Sequence, residues 1–179
     1  MSLDWGALSA STDLNSISRA ITGTGSIELH GPGMPSDFVI RPVSMLTVPA
    51  DHLVKAAQSE GYRFVDRLLD EWQSSSNCFD DEGEAFIGVF ASETLMAIGG
   101  LNRDPYSNEH VARIRHVYVL PEYRRKGVGR KLAAALLLIA KNHYPRVRLR
   151  ASDGAAADFY EALGFARTSE ADSTHDTII

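Results

Sequence analysis

The chain has 179 residues, 44% of them hydrophobic and 23% charged, enough for one domain with a core but hardly two, and ordinary enough to exclude wholesale disorder, collagen-like repetition and coiled coil. Its net charge of −5 argues against nonspecific nucleic-acid binding, which needs a surplus of Lys and Arg on one face. Cys78 is the only cysteine, so neither an internal disulfide nor a thiolate zinc site can form, in keeping with a reducing compartment.

Residues 1–36 are rich in Ser, Thr, Gly and Asp, with Gly23-Thr24-Gly25 and Gly31-Pro32-Gly33 as punctuation, and are expected to form an arm or appendage ahead of a domain at 37–179. Met1 to Ala10 carries Asp4 and no Lys or Arg, so no secretory leader is expected and the location is read as cytoplasmic. Phe38 to Arg41 predicts a short strand closed by Pro42, and Pro49-Ala50-Asp51 a helix start. Turns from Leu53 to Glu60 break at Gly61. Phe64, Val65, Leu68, Leu69 and Trp72 then share one helical face, ending at Ser74 to Asn77.

Glu84–Ala91 and Thr94–Leu101 are apolar runs separated by Ser92-Glu93, a hairpin signature. Gly99-Gly100 inside the second run predicts a bulge or a close approach to the backbone. Val111 to Leu120 is the next strand, stopped by Pro121. A helix from about Val128 to Asn142 follows, with Leu132, Ala135, Leu136 and Ile139 as its apolar stripe. Its longest apolar run, Leu132–Ala140, is far short of the ~20 residues a membrane span needs, so no membrane association is expected. Val147 to Ala151 predicts a strand, Ala155 to Leu163 a helix closed by Gly164, and Phe165–Thr168 with Thr174–Ile179 a final hairpin. The order implies a mixed α/β sheet in which the strand-helix-strand unit from Val111 to Ala151 is a parallel crossover.

Basic residues concentrate between Arg113 and Arg150, whereas Asp80, Asp81, Glu82 and Glu84 form an acidic patch; a small anionic ligand suits the basic half. The acidic patch reads first as a solvated turn and second as a lure for a cationic substrate. The segment richest in chemistry is Val117 to Leu132, where a strand feeds a turn and Gly127-Val128-Gly129 opens a helix. Amides at a helix start are unpaired, glycine permits close approach, and the dipole favours negative charge, which together suit a diphosphate. The letters fit neither a P-loop nor a dinucleotide-binding fingerprint: Leu132 stands where a third glycine would be, and no Ser or Thr is placed for magnesium. The histidines have no metal-ligand spacing, so no metal is expected.

Arg124-Arg125-Lys126-Gly127-Val128-Gly129 resembles the Arg/Gln-x-x-Gly-x-Gly/Ala motif of the GCN5-related N-acetyltransferase (GNAT) family. The stretch from Arg113 to Tyr123 is similar to that family's fourth strand and its connection. Asp153, Ala156 and Phe159-Tyr160-Glu161-Ala162-Leu163-Gly164-Phe165 resemble its Asn-x-x-Ala-x-x-Phe-Tyr-x-x-x-Gly-Phe segment.

The resemblance implies a single-domain GNAT-like fold, with a mixed, mostly antiparallel sheet flanked by helices and parallel strands splaying around 111–120 and 146–151. It further implies acetyl-CoA as cosubstrate, the pantetheine arm against the backbone of Val117, Tyr118 and Val119, and the pyrophosphate at Arg124, Arg125, Lys126, Gly127, Val128, Gly129 and Arg130. Asp153 replaces the family's frequent Asn, which leaves its contact with pantetheine open. By analogy Tyr160 is the acid that meets the departing thiolate. Where several members carry a basic Glu on the fourth strand, this chain offers Arg113, Arg115, His116 and Tyr118, so His116 or a water relay would remove the amine proton. The expected reaction is direct attack of a primary amine, on a small molecule, a peptide or a protein, within a ternary complex. An acyl-CoA-binding sensor without turnover is the alternative, and a homodimer is the commonest assembly to expect.

Overall fold

The computed structural model describes residues 27–28, 38–45, 48 and 50–179. Its strands are β1 (Ile27–Glu28), β2 (Phe38–Pro42), β3 (Ala85–Ala91), β4 (Thr94–Arg103), β5 (Ala112–Val119), β6 (Arg146–Leu149), β7 (Ala166–Arg167) and β8 (His175–Ile178). They form one sheet in the order β1-β2-β3-β4-β5-β6-β8-β7, antiparallel throughout except for β5 beside β6. The helices are α1 (Asp51–Ser59), α2 (Phe64–Gln73), α3 (Val128–Lys141) and α4 (Gly154–Glu161).

The periodicities translate directly into burial. Leu132, Leu136 and Ile139 on α3 have no accessible surface, and they pack with Ile87, Val89, Met96 and Ile114 on one face of the sheet. Val65, Leu68 and Trp72 on α2 join Leu53, Phe86, Leu95, Ile98 and Tyr118 on the other. With both faces covered, β3 and β4 read as continuous apolar runs rather than alternating ones. Gly61, at φ +82°, makes the left-handed turn that separates α1 from α2.

Two expectations take definite form. Ile27–Glu28 pairs with β2, so the expected arm supplies an edge strand; its glycine clusters lie outside the described residues. The bulge sits on β5, opposite the glycine pair. Ile98 aligns with Tyr118 but Gly100 with Arg115, so β5 carries an extra residue, and His116 takes a left-handed φ of +55°. Gly100 answers to close approach, since a β-carbon there would stand 2.5 Å from the Phe79 ring.

The pairing of β5 with β6 is short. It joins Ala112–Ile114 to Val147–Leu149 and stops; beyond it the Ala151 N–H bonds Thr174 Oγ1 at 2.8 Å on the β8 side. Strand β6 therefore ends two residues sooner than expected. From Arg115 to Val119 the edge of β5 has no strand beside it.

Candidate functional site

The site is built where β5 ends. A 3₁₀ turn at Pro121–Tyr123 leads to Arg125 at φ +61° and Gly127 at φ +80°, and α3 begins at Val128. Its first helical hydrogen bond runs from Lys131 N–H to Gly127 C=O at 3.1 Å, and no N–H from Arg125 through Arg130 has a backbone acceptor among the described residues. This run of free donors at the positive end of a fourteen-residue helix has the geometry to receive an anion, and is called the cradle below. A β-carbon on Gly129 would rest 3.5 Å from Phe159 and from Val119, so the protein alone leaves room for a side chain where the sequence has none.

The charges around the cradle are fewer than the sequence suggested. Arg113 pairs with Asp104 at 3.4 Å, Arg115 with Glu71 at 3.0 Å, Arg148 with Glu170 at 2.5 Å, and Arg146 with Glu170 at 2.7 Å. Arg124 also turns away from the cradle. Its Nη1 and Nη2 donate to Glu60 at 2.7 and 2.6 Å, and its Nε donates to Val119 C=O at 2.9 Å. Five of the eleven basic residues in this half are thus held by the protein's own carboxylates. Arg125, Lys126 and Arg130 have no carboxylate partner among the described residues, and Lys126 lies over the Tyr123 ring.

Val117 and Val119 present backbone to the open edge. Leu120 N–H bonds Met96 C=O at 2.9 Å across the β4 side, so alternation turns the N–H and C=O of Val119, and of Val117 two residues earlier, toward the side that β6 has left. The Tyr118 side chain lies on the α1–α2 face instead, where its hydroxyl donates to Glu60 at 2.5 Å. Glu60, which the sequence did not single out, therefore ties α1 to both the end of β5 and the start of the cradle. The Arg124 guanidinium holds the Glu60 carboxyl below its usual range. Sixty-four residues separate Glu60 from Arg124, so no local pattern announces the pair.

Tyr160 projects from α4 into the core on the α3 face, 7% exposed, with Phe159 and Phe165 edge-on to its ring. Its hydroxyl has no hydrogen-bond partner among the described residues, and burial alone pushes its pKa above the ordinary tyrosine value. The residue as a whole is buried, but its oxygen is not among the enclosed unpartnered polar atoms, so the hydroxyl is left open to solvent or a ligand. Asp153 is the N-cap of α4: its carboxylate accepts from Ala156 N–H at 2.8 Å, and that bond, with the Ser152 hydroxyl, lowers its pKa. Its position is explained by capping.

His116, on the bulge, points toward α2 between the Phe64 and Phe79 rings. Its side chain is 4% exposed, and its Nε2 stands 3.6 Å from Glu71, too far for a hydrogen bond. Burial, reinforced by the Arg115 charge, lowers its pKa from 6.5 to about 4 despite Glu71. It is a neutral, enclosed imidazole, a poor base for an incoming ammonium. Beyond it lies a cavity of about 760 Å³ lined by Glu71, Asp80, Asp81, Glu84, Asn102 and Arg115 among others. No group of three His, Cys, Asp or Glu among the described residues converges as metal ligands would.

Comparison with known proteins gives a consistent picture. The model of the Acetyltransferase (GNAT) family matches residues 50–165. A structure from Exiguobacterium sp. 255-15, assigned provisionally as an acetyltransferase, superposes with a TM-score of 0.72 at 30% identity, covering 79% of this chain and 93% of that one. The PaiA N-acetyltransferase of Thermoplasma acidophilum, solved with coenzyme A, shares the fold at TM-score 0.52 and 21% identity, covering 80% of this chain and 99% of that one. Among curated proteins, the N-alpha-acetyltransferase RimI of Mycobacterium tuberculosis (strain ATCC 25618 / H37Rv) is 27% identical over 82 residues, 46% of this chain and 52% of RimI. An uncharacterized protein of Mycobacterium leprae (strain TN) is 28% identical over 97 residues, 54% of this chain and 25% of that protein. The chain thus spans a quarter to half the length of these curated relatives.

Proposed function

The chain belongs to the GNAT acetyltransferase family, and from that premise we propose that it transfers the acetyl group of acetyl-CoA to a primary amine by direct attack in a ternary complex. The observation that carries the reading is the run of unpaired amides from Arg125 to Arg130 beside the open edge of β5. A diphosphate satisfies the first and an extended amide chain satisfies the second. Arg125, Lys126 and Arg130 add positive field at the rim.

In this reading the acyl group lies where the bulge opens the sheet, with the N–H groups of Val117 and Val119 available to the oxygen that becomes negative when the amine nitrogen attacks the carbonyl carbon. The carbon–sulfur bond then breaks, the Tyr160 phenol donates its proton to the departing sulfur, and the proton that the new amide nitrogen sheds restores the phenol through water. The amine must lose a proton before attack, since an alkylammonium with pKa ~10 is almost wholly charged at neutral pH. With His116 enclosed, that proton leaves through water. No helix among the described residues is long and apolar enough to cross a membrane, and we read the protein as cytoplasmic.

Calorimetry with acetyl-CoA, followed by detection of free thiol across a panel of amines, tests the proposal. Binding followed by amine-dependent CoA release is the expected result. The enclosed imidazole also favours a second reading, an acyl-CoA sensor without turnover; binding with no release above hydrolysis for any amine would establish it. Absence of acetyl-CoA binding would remove both.

The cradle has its own check. Replacing Gly129 by Leu should overfill the space between Val119, Phe159 and the diphosphate, at about 1–3 kcal/mol or roughly ten- to hundredfold in Kd. Leucine is a better helix former than glycine, so the thermal midpoint should not fall. An unchanged dissociation constant by calorimetry would contradict the assignment of this corner to the diphosphate.

A further inference from the structure

Arg124 stands just ahead of the cradle, and the fold employs it for something other than an anion. All three nitrogens of its guanidinium have protein acceptors: Nη1 and Nη2 donate to the two oxygens of Glu60 at 2.7 and 2.6 Å, and Nε donates to Val119 C=O at 2.9 Å. The group also lies over the Tyr118 ring, 5.4 Å from its centre. Pairing through two parallel hydrogen bonds fixes the orientation of a guanidinium as well as its position.

Glu60 is placed for this partner and against the preference of its own helix. It closes α1, where its N–H bonds Ala56 C=O at 3.2 Å and Gly61 turns the chain away. The last turn of α1 has no basic residue, and a carboxylate at a helix C-terminus opposes the dipole. Donors from β5 and its connection offset that cost: both Arg124 Nη atoms and the Tyr118 hydroxyl.

The peptide between Val119 and Leu120 is thereby held at both ends. Leu120 N–H bonds Met96 C=O at 2.9 Å on the β4 side, and Arg124 Nε bonds Val119 C=O on the side that β6 has left. The guanidinium thus closes the open edge of β5 at its last carbonyl. An extended ligand on that edge must leave it at Val119 N–H, and the next free donors it meets are the amides that begin at Arg125.

We infer that Arg124 is a positioning residue rather than a ligand of the diphosphate, and that Glu60 is what makes it one. Anchored from α1, Arg124 sets the end of β5 and with it the angle between the open edge and the cradle, so that a single cofactor reaches both. This role deepens the acetyl-transfer reading and rests on it.

Calorimetry of acetyl-CoA with the full chain and its Glu60→Gln, Arg124→Gln, Arg124→Lys and Glu60→Gln/Arg124→Gln variants tests the inference, each paired with a thermal melt. Both side chains are more than a quarter exposed, so the variants should fold. Each single variant should raise Kd about fivefold, the upper end for an exposed pair. The double variant should be no worse than the weaker-binding single, because all of them break one unit. Lysine should not rescue, since an ammonium cannot hold both Glu60 oxygens and the Val119 carbonyl at once. If Arg124 met the diphosphate instead, Glu60→Gln would leave Kd unchanged or lower it by releasing the cation, and Arg124→Lys would keep most of the affinity. Either result overturns the inference while acetyl-CoA binding stands. A lowered melting temperature with Kd unchanged would assign the pair to stability alone and also overturn it. Failure of the parent protein to bind acetyl-CoA would remove the acetyl-transfer reading and this inference together.

Discussion

Tyr160→Phe is expected to lower kcat by about 100-fold, the smaller end of what a positioned proton donor contributes, while acetyl-CoA affinity stays within about twofold. The hydroxyl has no partner among the described residues, and burial is what raises its pKa. The hydroxyl bonds no protein group among the described residues, so its removal breaks no internal hydrogen bond and the variant should unfold at about the same temperature as the parent. The ring would keep its edge-on contacts with Phe159 and Phe165. This separates a chemical role from a structural one: a core tyrosine needed only for packing would leave kcat unmoved. Steady-state thiol release with the best acceptor, paired with a thermal melt, makes the measurement, and an unchanged kcat would take Tyr160 out of the mechanism.

The second large effect is on stability in acid. The folded protein holds His116 neutral down to about pH 4, against an ordinary 6.5. The unfolded chain therefore binds a proton at this residue as pH falls below 6.5, and the folded chain does not until about 4. Stability is fully present above 6.5 and is lost across that window, by at most roughly 3 kcal/mol from this residue. Burial is the main cause, with Arg115 adding to it, and Glu71 opposes both. His116→Asn tests this because asparagine tolerates the left-handed backbone at this position. The variant should be less stable at neutral pH, having vacated the space between Phe64 and Phe79, but its unfolding free energy should be much flatter between pH 6.5 and 4. Urea unfolding over that range measures the slope, and an unchanged slope in the variant would assign the acid loss to another group.

Much of the cradle was legible because it is local. The glycines at 127 and 129, the helix period that follows and the proline at 121 lie within a dozen residues, and backbone geometry alone makes such a sequence end a strand, turn and begin a helix with its amides exposed. The acidic run at Asp80–Glu84 was equally visible, but the cavity it borders was not, since its wall also takes Asn102 from β4 and Arg115 from β5. Arg124 shows the limit most clearly. In sequence it is one more cation of the phosphate motif; in the fold it is bound to Glu60.

What the residues determined unaided, then, were the elements, their order and the corner where α3 begins, since propensity, periodicity and glycine act over one or two turns of chain. Tertiary packing alone decided which charges cancel, that His116 is enclosed and neutral, and that β6 stops short enough to open an edge of β5. Each of these depends on groups brought together from distant parts of the chain, as Glu71 is to Arg115 across forty-four residues. Desolvation and pairing energies exist only once those groups have met.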